Sequence, residues 1–277
     1  MFGRLTREQR LRRQVEDVLV GAGYSEAYTP TFVAEGEVRL PEPLSAEATA
    51  LRSVLYASLL EPALRNADGG EEDVALFEVA RVYSDAGADL PEEHWHVGGI
   101  VDGGFAEARW AIEQIYSALG VEPAYERSSE PQLHPGKSAR TGEGWLGELH
   151  PALLDGLWGA FELDLDALAE AAPGVVGFEE VSPYPEVRQD LAFVIDEEVP
   201  AAEILAAIRE AAGELLRELE VFDEYRNPET IGDGKRSLAF RLAFGSHEGT
   251  LTDEDVAPVR ASIVDALATR FGAVLRA

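Results

Sequence analysis

The 277-residue chain contains no cysteine, which excludes disulfides, thiolate nucleophiles and cysteine-ligated zinc. Lysine is nearly absent as well: only Lys137 and Lys235 occur, so arginine carries almost all the positive charge. Five histidines leave few options for a histidine-based catalytic or metal site. No window approaches the roughly 20 apolar residues of a membrane span. The basic, polar start MFGRLTREQRLRRQV also lacks the apolar centre of a secretion signal. A cytoplasmic protein that does not engage membranes is therefore expected. Neither an internal repeat nor a long low-complexity run is evident.

Positive charge is scarce altogether. Against 52 Asp and Glu stand 23 Lys and Arg, a formal net charge of −29. Broad attraction to a polyanion is thus disfavoured, because phosphate binding draws on cationic side chains. Binding RNA would take a local arginine cluster, or a partner that supplies the positive field. The plainer reading of the acidity is a solubility or salt-adaptation bias. A hydrophobic content of 46% is that of a globular protein, and the length suits two domains.

The clearest pattern lies in the carboxyl-terminal third. Leu191, Phe193 and Ile195 alternate with Ala192, Val194 and Asp196, the period of a strand with one buried face. A helix is predicted through AAEILAAIREAAGELLREL, with Ile204, Leu205, Ile208, Leu215, Leu216 and Leu219 on one stripe. A second strand is predicted at Val221 to Tyr225, a loop at Asn227 to Gly234, and a third strand where Leu238, Phe240, Leu242 and Phe244 alternate. A Thr252 cap then opens an amphipathic run to Arg270, followed by the short apolar tail AVLR. This β-α-β-β-α-β order reads as a ferredoxin-like sandwich.

Upstream, residues Thr6 to Gly21 read as a helix with Leu11, Val15, Val18 and Leu19 on one side. YSEAYTPTFV is strand-like, and a Ser45 cap precedes a long helical run from about Leu51. DVALFEVARVYSD and HWHVGGIVDG are strands, the first irregular because Val74 and Leu76 give way to Phe77 and Val79. FAEARWAIEQIYSALG is an amphipathic helix. Strands and helices mix without a βαβ repeat, so the fold class is α+β. Pro173, Gly174, Gly177, Pro183 and Pro185 punctuate the join, and the domains are expected at 1–181 and 182–277.

The strings YPEVRQDLAFVID, FDEYR, GKRSLAFRL and TLTDEDV resemble the ferredoxin-fold anticodon-binding domain at the carboxyl end of the bacterial phenylalanyl-tRNA synthetase β subunit. LPEPLSAEATALRSVLYASLLEPALRN, ALFEVARVY and LHPGKSARTGEGWLGELHPALLDGLW are similar to the catalytic-like module of the same subunit, a degenerate relative of a class II synthetase core. Together these matches cover nearly the whole chain. The resemblance implies a non-catalytic module, then a tRNA-gripping domain that supports charging of tRNA(Phe) with phenylalanine. It further implies a catalytic α subunit as partner in a heterotetramer. ATP and Mg2+ would act at that subunit, with no cofactor on this chain. The family's further amino-terminal domains are missing, so a short form or a piece is expected. Gly249 stands just before TLT, where the family carries an arginine, so one phosphate contact that the resemblance would imply is not carried over to this chain.

No catalytic constellation is found. Class II chemistry needs arginines that hold the nucleotide phosphates; Arg52 and Arg81 are the nearest candidates, and each reads equally well as a surface or interface residue. GEGWLG fits GxGxxG, but no helix opens after it, so a hairpin turn is expected. His94 and His96 share a strand face, yet no third ligand accompanies them. His134 and His150 are read as scaffold. The stretches EEVPAAE and GEEDV are read as solvated helix starts.

The open face of the ferredoxin-like sheet is the candidate RNA site. If Leu191, Phe193, Leu238, Phe240, Leu242 and Phe244 lie under the helices, alternation turns Arg188, Asp190, Ala192 and Val194 outward beside Ser237, Ala239, Arg241 and Ala243. Asp223 and Tyr225 join them if Phe222 is buried. Small side chains would admit a splayed base, arginines would meet phosphate, and Tyr225 would offer a stacking plane. The tRNA-binding set is thus Arg188, Asp190, Asp223, Tyr225, Arg236, Ser237 and Arg241. A structural ion pair between Asp190 and Arg241 is the competing reading. A free-standing RNA-binding or interaction protein, or a small-ligand-binding one, that keeps these folds without synthetase activity is the alternative function.

Overall fold

A computed structural model describes residues 3–43, 45–87, 90–174 and 182–276. The chain divides into two compact units, Met1–Val176 and Gly177–Ala277. The boundary expected at 181/182, with its Gly177, falls at residues 175–181, outside the described residues.

The first unit opens with α1 (Arg7–Gly21), which Thr6 and Gln9 start through a reciprocal capping box. Leu11, Val15 and Leu19, spaced by four, are its buried side. The stretch read as one strand is two short ones, β1 (Ser25–Glu26) and β2 (Phe32–Val33). β3 (Ala50–Leu51) pairs with β2, so the expected helix begins five residues late, as α2 (Tyr56–Asp68). Ser45 instead accepts a bond from the Glu47 N–H in a local turn.

What starts α2 lies across the sheet. Strand β4 (Ala75–Ser84) is followed by β5 (Glu92–Asp102), α3 (Phe105–Leu119), β6 (Glu126–Arg127), β7 (Leu133–Arg140), β8 (Gly144–Leu149), β9 (Trp158–Asp164) and α4 (Leu165–Ala171). From β9 the buried Glu162 carboxylate accepts the N–H groups of Leu55 at 2.9 Å and Tyr56 at 3.2 Å, and meets His96 Nδ1 at 2.8 Å. A negative charge therefore sits at the positive end of the helix. No local cap was available, because Leu55 occupies the capping position.

The strands form one sheet in the order β1-β4-β5-β9-β8-β7-β6, antiparallel throughout except for β1 beside β4. Phe77, Val97, Phe161 and Leu163 pack with α1, α3 and α4. Leu76, Ile100 and Ala160 pack with α2 in a separate cluster. The irregular apolar pattern of β4 is thus that of a strand covered on both faces.

Arg52 is neither a surface nor a free arginine. It is 4% exposed; its guanidinium reaches Glu78 at 2.9 Å, the Thr29 hydroxyl at 2.9 Å and the Arg81 carbonyl at 3.0 Å. Arg81 is half exposed and pairs with Glu93. GEGWLG spans the hairpin between β7 and β8, with Gly142 and Glu143 in the turn and Gly144–Gly147 already in β8: a Cβ on Gly144 would fall 2.1 Å from the Glu162 carbonyl oxygen, so close approach of β9 requires the glycine. His134 and His150 accept backbone N–H bonds from Gly136 and Ala152. Among the described residues no group of His, Asp and Glu could hold a metal ion, and no helix is long and apolar enough to cross a membrane.

The second unit runs β10 (Val187–Asp196), α5 (Ala201–Ala212), β11 (Leu216–Tyr225), α6 (Pro228–Ile231), β12 (Lys235–Phe244), α7 (Asp253–Phe271) and β13 (Val274–Arg276). Its antiparallel sheet has the order β11-β12-β10-β13, the ferredoxin-like arrangement. One expectation is corrected: α5 stops at Ala212 rather than continuing through LLREL. Gly213 adopts φ 62, which ends the helix, and Leu216 and Leu219 lie in β11. α6 occupies the predicted loop. Phe193 and Phe240 meet edge to face at 6.2 Å, among Ile204, Ile208, Val256 and Ile263.

Breaking the buried pair in the first unit leaves an uncompensated charge. Arg52→Ala is expected to cost about 3–5 kcal/mol, and Arg52→Met with Glu78→Leu much less, in urea unfolding monitored by far-UV circular dichroism.

Candidate nucleic-acid interface

Helices α5 and α7 cover one side of the second sheet and leave the other open. Register fixes what the open side carries. β10 sets Arg188 opposite Ala243, Asp190 opposite Arg241, Ala192 opposite Ala239 and Val194 opposite Ser237. β11 adds Glu218 to the first row, Glu220 to the second, Asp223 to the third and Tyr225 to the fourth. β13 adds Arg276 beside Ala192. Directly opposed residues point to the same face, so these rows form one surface.

Arg241 donates to Asp190 at 3.2 and 3.4 Å, so the ion pair of the competing reading is present, with both partners about half exposed. Arg188 stands 3.7 Å from Glu186 and 3.9 Å from Glu218. Pairs this exposed contribute about 0–1 kcal/mol and exchange readily for other anions.

The condition placed on Phe222 is not met. The β11–β12 register slips between Val221 and Asp223, and Phe222 is 42% exposed with the Arg241 guanidinium 4.5 Å above its ring. A bulge inserts one residue and turns a side chain away from the face that alternation assigns it. Asp223 and Tyr225 still oppose Ala239 and Ser237. The Arg276 guanidinium lies 4.8 Å over the Tyr225 ring, and the Tyr225 hydroxyl meets Thr230 at 3.2 Å. That hydrogen bond, with a smaller contribution from Arg276, holds the phenol below its ordinary value.

Two residues of the expected set are placed differently. Arg236 opposes Ile195 on the covered side, where it donates to the Val199 carbonyl at 2.6 Å and to Glu224 at 3.2 Å. Ser237 is on the open side but only 3% exposed. Sequence reasoning missed Arg276 and Phe222. Arg276 ends a tail read only as apolar, although a fourth strand beside β10 had to alternate too. The adjacent apolar pair Val221–Phe222 was the available sign of a bulge.

The face holds two guanidinium–aromatic stacks on a floor of alanines, with Arg188 at one end. It also carries the carboxylates of Asp190, Glu218, Glu220 and Asp223. Such a surface can stack bases and meet phosphates once arginines exchange partners.

Two family models match the chain. The model described as the phenylalanyl tRNA synthetase beta chain CLM domain matches residues 1–165, and the one described as the ferredoxin-fold anticodon binding domain matches residues 182–276. Among curated relatives, the phenylalanine–tRNA ligase beta subunit of Streptomyces avermitilis is 34% identical over 98% of this chain and 40% of its own length. The beta subunits of Carboxydothermus hydrogenoformans and Staphylococcus aureus are each 32% identical, over 97% and 99% of this chain and 39% and 38% of their own lengths. The chain therefore spans about 40% of the length of these relatives.

The carboxyl of Glu224 gives this unit an acid-sensitive contact. Partial burial raises its pKa, but hydrogen bonds from Arg226 and Arg236 outweigh that and hold it below the usual carboxylate value. A depressed folded-state value stabilises the fold above the unfolded-state value and is lost as pH falls through the folded one. Glu224→Gln is expected to flatten the fall in urea midpoint of this unit between about pH 5 and pH 3.

Proposed function

The chain belongs to the phenylalanyl-tRNA synthetase β-chain family, and we propose that it is the tRNA-gripping, α-subunit-partnered portion of a phenylalanine–tRNA ligase β subunit. The observation that carries this reading is the tandem match, a β-chain module followed by an anticodon-binding domain, over almost the whole chain. In it the first unit is a degenerate class II synthetase-like module that docks the α subunit within a heterotetramer. The arginines nearest to a class II role favour that assignment: Arg52 is buried against Glu78 and Arg81 is paired with Glu93. Neither is free to hold a nucleotide phosphate, so ATP and Mg2+ act at the α subunit and this chain supplies position rather than chemistry.

The second unit holds the anticodon region of tRNA(Phe) on its open face. Unpaired bases slide onto the Phe222 and Tyr225 rings beneath Arg241 and Arg276, and Ala192 and Ala239 leave room for them. Arg188 and Arg241 trade carboxylate partners for phosphates. Asp190 competes with RNA for Arg241, so its role is to hold that side chain in place in the free protein. Asp223 and Tyr225 border the same floor, whereas Arg236 and Ser237 support the sheet. A free-standing interaction protein remains the second reading, favoured by the acidity of the same face.

Arg188→Ala or Arg241→Ala is expected to weaken tRNA binding and flatten the slope of log K against log salt by roughly 0.7–0.9 per lost contact, with the melting temperature nearly unchanged. Asp190→Asn is expected to strengthen binding. Filter binding across several salt concentrations beside thermal melts decides it: an unchanged slope with a lowered melting temperature removes this face from the RNA site.

The pure chain is expected to show no phenylalanine-dependent pyrophosphate exchange. It is also expected to retain an α subunit on co-expression and affinity purification. A lone chain that binds neither α subunit nor RNA would favour the second reading.

A further inference from the structure

The open side of the second sheet continues one row beyond Ser237 and Val194. There β12 sets Lys235 opposite Asp196 of β10, and alternation keeps both on the open side. Neither β11 nor β13 reaches this row: their last pairs are Tyr225 with Ser237 and Val274 with Val194. Lys235 is the one lysine of the second unit. It is exposed and makes no hydrogen bond or ion pair with a described residue. Asp196 instead accepts the Glu198 N–H at 3.4 Å. The arginines of the face all have partners: Arg188 in Glu186 and Glu218, Arg241 in Asp190 and Phe222, Arg276 in Tyr225.

Spacing turns these cations into a track. Same-face neighbours on a strand lie about 7 Å apart, comparable to the distance between successive phosphates of an extended RNA strand. Arg188, beside Ala243, opens the series; Arg241 lies in the next row, Arg276 in the one after, and Lys235 in the fifth. From Ala243 to Lys235 is roughly 27 Å at about 3.4 Å per residue, room for about four or five nucleotides.

The acids of the face are unevenly placed. Glu218, Asp190, Glu220 and Asp223 all belong to the first three rows. The fourth holds Tyr225, Ser237, Val194 and the exposed Val274, with no carboxylate. Only Asp196 shares the row of Lys235. On the face itself, repulsion of phosphate is therefore weakest toward Lys235, and the cation there has no partner to give up.

We propose that Lys235 is a phosphate contact of the RNA site, and that the backbone of an unpaired RNA segment runs along β12 from Arg188 to Lys235 with bases turned onto Phe222 and Tyr225. This rests on the RNA-binding reading and adds the path of the strand to it. The competing role is structural, with Lys235 offsetting Asp196 and the exposed Asp233 of the preceding turn.

Filter binding of the full chain to an unmodified tRNA(Phe) anticodon stem–loop, across several salt concentrations and beside urea unfolding, tests it. Lys235→Ala is expected to flatten the slope of log K against log salt by roughly 0.7, which corresponds to about fourfold weaker binding at 0.15 M salt. Lys235→Arg is expected to keep the parent slope, and Lys235→Ala with Arg188→Ala to lose the sum of the two single effects. The urea midpoint should not move. A parent slope in Lys235→Ala, while Arg188→Ala and Arg241→Ala flatten theirs, would overturn the path and leave the RNA-binding reading standing. Parent slopes in all three variants would remove both. A parent slope with a lowered urea midpoint would give Lys235 the structural role. Equal loss of affinity for inorganic polyphosphate, which has no bases to stack, would make Lys235 a general anion contact and also overturn the path.

Discussion

Excess negative charge is the constraint that most of the structure answers to. With 52 acidic against 23 basic side chains, a carboxylate can be buried only where something else neutralises or solvates it. The first unit does this in two ways. Glu78 is matched by Arg52 and Thr29, at the expense of an arginine in a chain that has few. Glu162 has no arginine at all: two backbone N–H groups at the start of α2 and one histidine ring nitrogen surround it. That substitution of helix dipole for cation fixes where α2 begins and ties β9 to β5.

This explains how much of the fold could be read in advance. α1 and α7 carry their start signals locally, in Thr6 with Gln9 and Thr252 with Asp255, so periodicity and caps located them. The start of α2 depends on a carboxylate 107 residues away and was out of reach of any local pattern. β11 failed for another reason. Leu215, Leu216 and Leu219 suit the spacing of a helix as well as an edge strand, and only Gly213 marks the break. At the candidate site, alternation located Arg188, Asp190 and Arg241 on β10 and β12. It could not foresee the slip that exposes Phe222, nor that the short β13 carries Arg276 over Tyr225.

The same constraint shapes how an acidic protein could hold RNA. On the open face each arginine has an anion or a ring within reach: Arg241 has Asp190 and Phe222, Arg188 has Glu186 and Glu218, Arg276 has Tyr225. Long-range attraction is therefore weak, and specificity falls to short-range contact. Stacking and hydrogen bonding survive where net field does not, because they act over a few ångströms and are little affected by charges beyond a screening length of about 8–10 Å. Arginine suits this better than lysine. Its planar guanidinium can stack on a ring while donating in its own plane, so one side chain holds a base and a phosphate together. On the proposed RNA-binding reading, a chain with two lysines and two ring-stacked arginines on an alanine floor suits recognition at contact, and diffusional capture would fall to a more basic partner.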